Sequence, residues 1–131
     1  MIVLDASVLA DALIDDGPVG ERARESISQD LHWAAPAHLV VEVVSVVRGR
    51  VLGGKLTVLR AEEAIDALAD LEIAQIDVQP LTNRIWQLRE NLTAYDAAYV
   101  AVAEQLDCRL YTSDARLARA RDLGRHVRLI R

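Results

Sequence analysis

The sequence predicts an α/β domain spanning residues 1–131, with a mostly parallel central sheet of about five strands flanked by helices. Two observations carry that expectation. Short apolar runs alternate along the chain with longer segments of helical periodicity, the pattern of strands buried on both faces and joined by crossover helices. A chain of 131 residues, 52% of them apolar, can also build one well-buried core but is short for two.

The elements follow in order. Ile2 to Leu4 is an apolar run that reads as the first strand, and Val8 to Ile14 reads as a helix. Beyond Gly17-Pro18, an amphipathic stretch from Gly20 to Gln29 leads to a second strand at Trp33 to Ala35. The segment Leu39-Val-Val-Glu-Val-Val-Ser-Val-Val47 is so rich in β-branched residues that propensity alone favours a strand. Length decides for a helix: the segment begins right after Pro36 and runs to Arg50, well past the ~5–6 residues of a typical strand. Leu39, Val40, Val43, Val44 and Val47 would then share one face. Gly53-Gly54 makes a turn into a helix from Val58 to Leu71, with Val58, Ala61, Ile65 and Leu68 on one side. A short run near Ile76 to Val78 is the next strand. Tyr95 to Leu106 is the clearest helix, because Tyr95, Ala98, Tyr99, Val102, Ala103 and Leu106 follow helical spacing. Leu110 to Thr112, a helix from Ala115 to Leu123, and Val127 to Ile130 complete the chain.

Charge and composition narrow the function. The net charge of −5 repels nucleic acid at long range, so any RNA contact must be local. All but one of the fifteen cations are arginine, which suits bidentate phosphate contacts better than lysine does. No stretch approaches the ~18 uninterrupted apolar residues of a membrane helix. The amino terminus has neither a basic leader nor a small-residue cleavage pattern, so a cytoplasmic protein without membrane attachment is expected. Cys108 has no partner for a disulfide and is expected in the core. His32, His38 and His126 are scattered, and surface roles are expected for them.

Four acidic residues stand out. Ligands of open parallel sheets bind beyond the carboxyl ends of the strands, where the strand order reverses, and Asp5 and Asp114 each fall just after a predicted strand. Taken singly, three of the four have ordinary explanations: Asp5 and Asp114 (or Ser113) can cap the helices that follow them, and Asp96 can close a capping box with Thr93. Glu42 is harder to dismiss, because valines flank it on both sides and a carboxylate so placed loses hydration unless something compensates it. Carboxylates gathered at one strand-end crevice would repel one another unless a cation were present. With oxygen donors and no suitable His or Cys spacing, that cation would be hard, Mg²⁺ or Mn²⁺ rather than zinc.

The segments Val-Leu-Asp5-Ala-Ser7-Val-Leu, Pro36-Ala-His-Leu-Val-Val-Glu42-Val, Leu92-Thr-Ala-Tyr-Asp96-Ala-Ala-Tyr-Val-Ala-Val-Ala-Glu104 and Leu110-Tyr-Thr112-Ser-Asp114-Ala-Arg-Leu-Ala resemble, in order, the four acidic motifs of PIN-domain nucleases. The resemblance spans nearly the whole chain, and it is nearest to the VapC toxins of toxin–antitoxin modules. It implies a Mg²⁺- or Mn²⁺-dependent endoribonuclease with Asp5, Glu42, Asp96 and Asp114 as its acidic cluster. Ser7 matches the family's small hydroxyl residue near the first aspartate, and Thr112 and Ser113 match polar neighbours of the last. Asp5, Asp96 and Asp114 are then the expected direct ligands, with Glu42 acting through water or as a base. Arg48, Arg89 and Arg116 are candidates for gripping phosphate. A VapB-type antitoxin and a homodimer are further implications.

Two rivals from other classes have less support. Gly49-Arg-Val-Leu-Gly-Gly54-Lys55-Leu56 matches a phosphate-binding P-loop except at its last position, where Leu56 replaces the Ser or Thr that would hold Mg²⁺. A receiver-like signalling module would want paired acids after the first strand and a late lysine, whereas Asp5 stands alone and Lys55 is the only lysine.

Overall fold

The computed structural model describes residues 1–120 and 126–131. Its centre is a five-stranded, wholly parallel sheet in the order β3-β2-β1-β4-β5, built from β1 (Ile2–Leu4), β2 (Trp33–Pro36), β3 (Ile73–Ile76), β4 (Arg109–Thr112) and β5 (Val127–Leu129). The chain moves outward from β1 through β2 to β3, then returns to place β4 on the other side of β1. The strand order therefore reverses between β1 and β4, and a crevice opens there at their carboxyl ends.

Seven helices connect and cover the strands in the described residues: α1 (Ala6–Ile14), α2 (Pro18–Ile27), α3 (Leu39–Leu52), α4 (Val58–Asp70), α5 (Thr82–Gln87), α6 (Ala94–Leu106) and α7 (Ala115–Arg119). Helix α6 packs across β1, β2 and β4, and it is buried at every position from Ala97 to Ala103. Its alanines let it lie close against the sheet; it is a core helix, not the amphipathic one its spacing suggested. Tyr95, assigned to that buried face, is exposed. Helix α1 packs against α2, α3 and α4.

The valine-rich segment is helical. It begins at Leu39, after a turn at residues 37 and 38, not directly after Pro36. Its buried stripe is narrower than predicted: Leu39, Val43 and Val47, one turn apart, are buried, while Val40 and Val44 stay exposed. In α4 the inward residues are Ala61, Ala64 and Leu68, and Val58, at the first turn, faces solvent. The third strand lies at Ile73–Ile76, three residues earlier than the apolar run at Ile76 to Val78 suggested, because its register is set by pairing with Trp33–Pro36. The 3-10 turn Gln79–Leu81 and α5 have no counterpart in the predicted elements. The last helix ends at Arg119, and the predicted extension to Leu123 lies outside the described residues.

Cys108 is partly buried against the core, and burial pushes its thiol up from the ordinary value. The P-loop alternative is overturned. The segment before Gly53 is the end of a helix, not a strand, and Gly54, at φ +72, turns the chain from α3 toward α4.

Candidate active site

The crevice between β1 and β4 holds a cleft of about 220 Å³ lined by Asp5, Ser7, Glu42, Asp96, Tyr99, Asp114 and Arg116, among others. Four separate elements bring the four predicted carboxylates to it. Asp5 follows β1 and caps α1; Glu42 lies in the first turn of α3; Asp96 lies in the first turn of α6; Asp114 follows β4 and caps α7. Asp5 and Asp114 thus do the capping work that their sequence context allowed and face the cleft as well, whereas at α6 the cap is Thr93. Asp5 accepts from the backbone N–H groups of Ser7 and Val8, Asp114 accepts from that of Arg116, and Thr93 Oγ1 accepts from the N–H of Asp96.

Asp5 is the anchor. It is 4% exposed, and both its oxygens are engaged. Ser7 Oγ donates to Oδ1 at 2.5 Å and Thr112 Oγ1 donates to Oδ2 at 2.6 Å. The hydroxyls are themselves fixed by the backbone after β4: Ser113 N donates to Ser7 Oγ at 3.0 Å, and Asp114 N to Thr112 Oγ1 at 2.9 Å. Ser7 thus sits beside the first aspartate as expected, whereas Thr112, expected beside the last aspartate, also donates to the first, and Ser113 contributes its backbone N–H to Ser7. Burial nevertheless dominates its titration. Desolvation raises the carboxyl from 3.8 to about 6, although hydrogen bonds from Ser7 and Thr112 pull the other way.

The other acids differ. Asp96 is also pushed up, first by burial and then by the charge of Asp114, with the Thr93 hydroxyl opposing. Burial raises Asp114 too, but hydrogen bonds from Arg116 outweigh it and leave the carboxyl below its ordinary value. The Arg116 guanidinium sits 3.2 Å from Asp114 Oδ2. Glu42 Oε1 accepts from the Tyr99 hydroxyl at 2.8 Å and lies 3.2 Å from His38 Nε2. Burial, followed by the Glu42 hydrogen bond and charge, raises the Tyr99 phenol, so it stays a donor.

His38 and Tyr99 are the functional neighbours that sequence reasoning missed. His38, assigned to the surface, packs edge-on against Tyr95 and Tyr99, with ring centroids 5.5 and 5.0 Å apart. Its spacing of four residues before Glu42 on a helix was the available signal. A phenol on a core face needs a partner for its hydroxyl, which would have pointed from Tyr99 to Glu42. Asp11 was missed as well. It is raised by burial, faces the Ser113 hydroxyl and lies 3.8 Å from Arg50. Of the three predicted phosphate-gripping arginines, only Arg116 lines the cleft. Arg48 is exposed, six residues beyond Glu42 and so turned to another side of α3, and Arg89 lines a separate pocket.

The PIN domain model matches residues 2–123. The chain belongs to the PIN-domain family. Within that family its relatives are VapC ribonucleases. Ribonuclease VapC9 of Mycobacterium tuberculosis is 40% identical over 120 residues, covering 90% of this chain and 89% of its own. Ribonuclease VapC1 of the same species is 38% identical over 130 residues, covering 98% and 97%. Among solved structures, Mycobacterium tuberculosis VapC20, described as a sarcin-ricin loop cleaving toxin, shares the fold with a TM-score of 0.67 at 15% identity, over 90% of this chain and 93% of that one. The chain is a VapC-type PIN domain, which excludes the receiver-like alternative.

The donor set of this PIN domain suits a divalent cation of the hard class: four carboxylates line the cleft, and no His or Cys belongs to its lining. At Asp5 burial disfavours the charged form despite the hydrogen bonds it accepts, and a nearby cation would stabilise it. The donors are not drawn into a closed cage. Among the described residues no three His, Cys, Asp or Glu side chains converge tightly enough to form one. Two of the four acids are engaged elsewhere, Asp114 by Arg116 and Glu42 by Tyr99 and His38.

Proposed function

We propose that this VapC-type ribonuclease hydrolyses RNA phosphodiester bonds at the β1/β4 crevice, as the toxin of a VapBC-type module, with Asp5, Asp96 and Asp114 holding Mg²⁺ or Mn²⁺ and Glu42 acting on water. The observation that carries the reading is the buried, doubly hydrogen-bonded Asp5 facing a cleft shared with three further carboxylates. When bound, the divalent cation would polarise the scissile phosphate and stabilise the charge that develops on its oxygens. Ser7 and Thr112 hold Asp5 in one orientation. The hydrogen bond from Tyr99, with the His38 imidazole packed beside the same oxygen, aims Glu42, which accepts the proton that the attacking water gives up. Arg116 is held beside the cleft by Asp114, where its guanidinium is placed to take the substrate phosphate. No protein nucleophile is required.

By its likeness to VapC ribonucleases, we propose that the chain acts on RNA in the cytoplasm, is blocked by a VapB-type antitoxin and forms a homodimer. No helix among the described residues is long and apolar enough to cross a membrane. The deciding test compares wild type with Asp96→Asn on structured RNAs, with Mg²⁺ or with chelator. Cleavage should require the metal and fall by at least a hundredfold in the variant, given the several kcal/mol of charge stabilisation that such an ion supplies. Cleavage that survives chelation and the substitution overturns the reading.

A further inference from the structure

Beside the acidic cleft lies a pocket that the chemistry above does not use. It has a volume of about 230 Å³ and is lined by Thr82, Ile85, Trp86, Arg89, Leu92 and Ala94, at the junction of α5 and α6. Its features are unusual for a surface. Trp86 is 66% exposed, the most costly apolar side chain to leave in water, in a chain with two tryptophans. The Arg89 guanidinium stacks on the indole 4.6 Å from its centroid, and Arg89 Nη1 donates to the Trp86 carbonyl at 3.1 Å. The cation is therefore fixed against the aromatic ring, where it presents a planar charged face over an apolar floor of Ile85 and Leu92.

The pocket is connected to the acidic cleft. A smaller cleft of about 130 Å³ shares Leu92 with the Trp86 pocket and shares Asp96 and Arg116 with the catalytic one. Asn91 and Thr93 supply polar groups between the two. Arg116 and Arg89 mark the two ends of this path, local cations on a protein whose net charge is −5. An exposed aromatic ring with a planar cation stacked on it, at the end of a path leading from a phosphate-cleaving centre, matches the chemistry of an unpaired base: a π-face to stack, with a backbone phosphate nearby to neutralise.

We propose that the Trp86–Arg89 pocket is a substrate subsite that takes an unpaired nucleobase of the RNA near the scissile phosphate, while Arg116 and Arg89 track the backbone between them. This rests on the ribonuclease reading of the acidic cleft. It assigns to the pocket the recognition of single-stranded or looped RNA, because a paired base cannot leave its stack without cost. The other occupant such a pocket could have, a second copy of this chain, is separated by the test.

The test uses the full chain in an Asp5→Asn, Trp33→Phe background, which binds without cleaving and leaves Trp86 as its only tryptophan. Trp33 lies at the amino end of β2, remote from the cleft, with its indole N–H bonded to the carbonyls of Ile27 and Asp30. Short unstructured oligoribonucleotides, matched except for a single abasic position walked along them, are titrated in. Trp86 fluorescence should quench saturably. Affinity, followed by anisotropy of labelled RNA, should fall about tenfold on Trp86→Ala, the scale of one lost base–aromatic stack, and recover substantially in Trp86→Tyr. One abasic position should reproduce the loss in the parent and add nothing in Trp86→Ala. Unchanged affinity in Trp86→Ala, or a uniform effect of every abasic position, overturns the subsite. So does a Trp86→Ala protein that sediments as a smaller species, which assigns the pocket to contact between copies. In the otherwise wild-type chain, cleavage kept at full rate by Trp86→Ala removes the subsite and leaves the ribonuclease reading standing, whereas loss of all metal-dependent cleavage by the wild type removes both.

Discussion

The two halves of the cleft are built differently. Asp5 and its partners belong to the sheet: the carboxylate follows β1, its hydroxyl donor Thr112 ends β4, and Asp5 N donates to the Tyr111 carbonyl as the ladder's last rung. Glu42 and Asp96 belong to helix ends, where side chains are longer or more exposed and each is held by one or two contacts. The sheet half is rigid, dry and electrostatically costly. The helix half is partly exposed and, with fewer contacts, the more adaptable by construction. On the proposed mechanism, a site that binds a cation and then releases a cleaved phosphate would use both, one part to fix position and the other to move.

The largest expected effect comes from removing the charge in the rigid half. Asp5 titrates near 6 in the fold, against 3.8 for an unperturbed carboxyl. Between those values the folded chain binds more protons than the unfolded one, so the contribution of Asp5 to stability falls as the pH rises. By pH 7 the buried charge costs roughly 3 kcal/mol in metal-free protein. Asp5→Asn should abolish cleavage while becoming more stable than wild type in chelator, with the stability difference opening by about that amount between pH 4 and pH 7. Hydrogen bonds lost by the amide shift both ends equally, so the slope isolates the charge. Urea unfolding of the pair at each pH measures it, and Mg²⁺ at pH 7 should stabilise the wild type alone. A difference that does not change with pH would show that Asp5 is not ionised against its surroundings.

This contrast also explains how much could be read in advance. The sheet half was legible because strand-end acids follow short apolar runs, and Asp5, Ser7, Thr112 and Asp114 lie within two short segments. The helix half was legible for its acids and not for their supports. His38 and Tyr99 reach Glu42 from a turn and from a second helix, 57 residues apart in the case of Tyr99, and only tertiary packing brings them together. The misplaced third strand has a similar origin. Ile76 to Val78 carries two large apolar residues close together, but the register against β2 selects the earlier segment, half of whose residues face solvent. Arginines were the least legible. A long exposed side chain can point anywhere, and of three candidates only Arg116 lines the cleft, two residues from an acid already placed there.

A smaller effect should follow from loosening the rigid half without removing its charge. Thr112→Val keeps the shape at β4 and deletes the hydroxyl that donates to Asp5 Oδ2 and accepts from Asp114 N. The carboxyl, with burial now less opposed, moves further above its ordinary range. Mg²⁺ affinity should weaken about ten- to a hundredfold, as for other groups that orient a metal ligand. Isothermal titration with Mg²⁺ or Mn²⁺ measures this. Unchanged affinity would mean that Thr112 supports the strand end alone.

The smallest effect tests the adaptable half. Tyr99→Phe removes the 2.8 Å hydrogen bond to Glu42 Oε1 and leaves His38 as the contact on that oxygen. Because the hydroxyl bonds a charged partner, its loss is worth about 1.5–3 kcal/mol where both groups are dry. Glu42 is only partly buried and water can replace the donor, so the stability change should be below that range. The catalytic change should be larger than the structural one. A glutamate that accepts a proton from water must be aimed, and an unaimed one spends time in rotamers that do not reach the water. Single-turnover cleavage at saturating Mg²⁺ should slow by about tenfold, while metal affinity stays within twofold of wild type. If metal affinity falls with the rate, Glu42 is a direct ligand and belongs with Asp5 in the rigid half; if only the rate falls, the division between the half that holds the ion and the half that moves the proton is upheld.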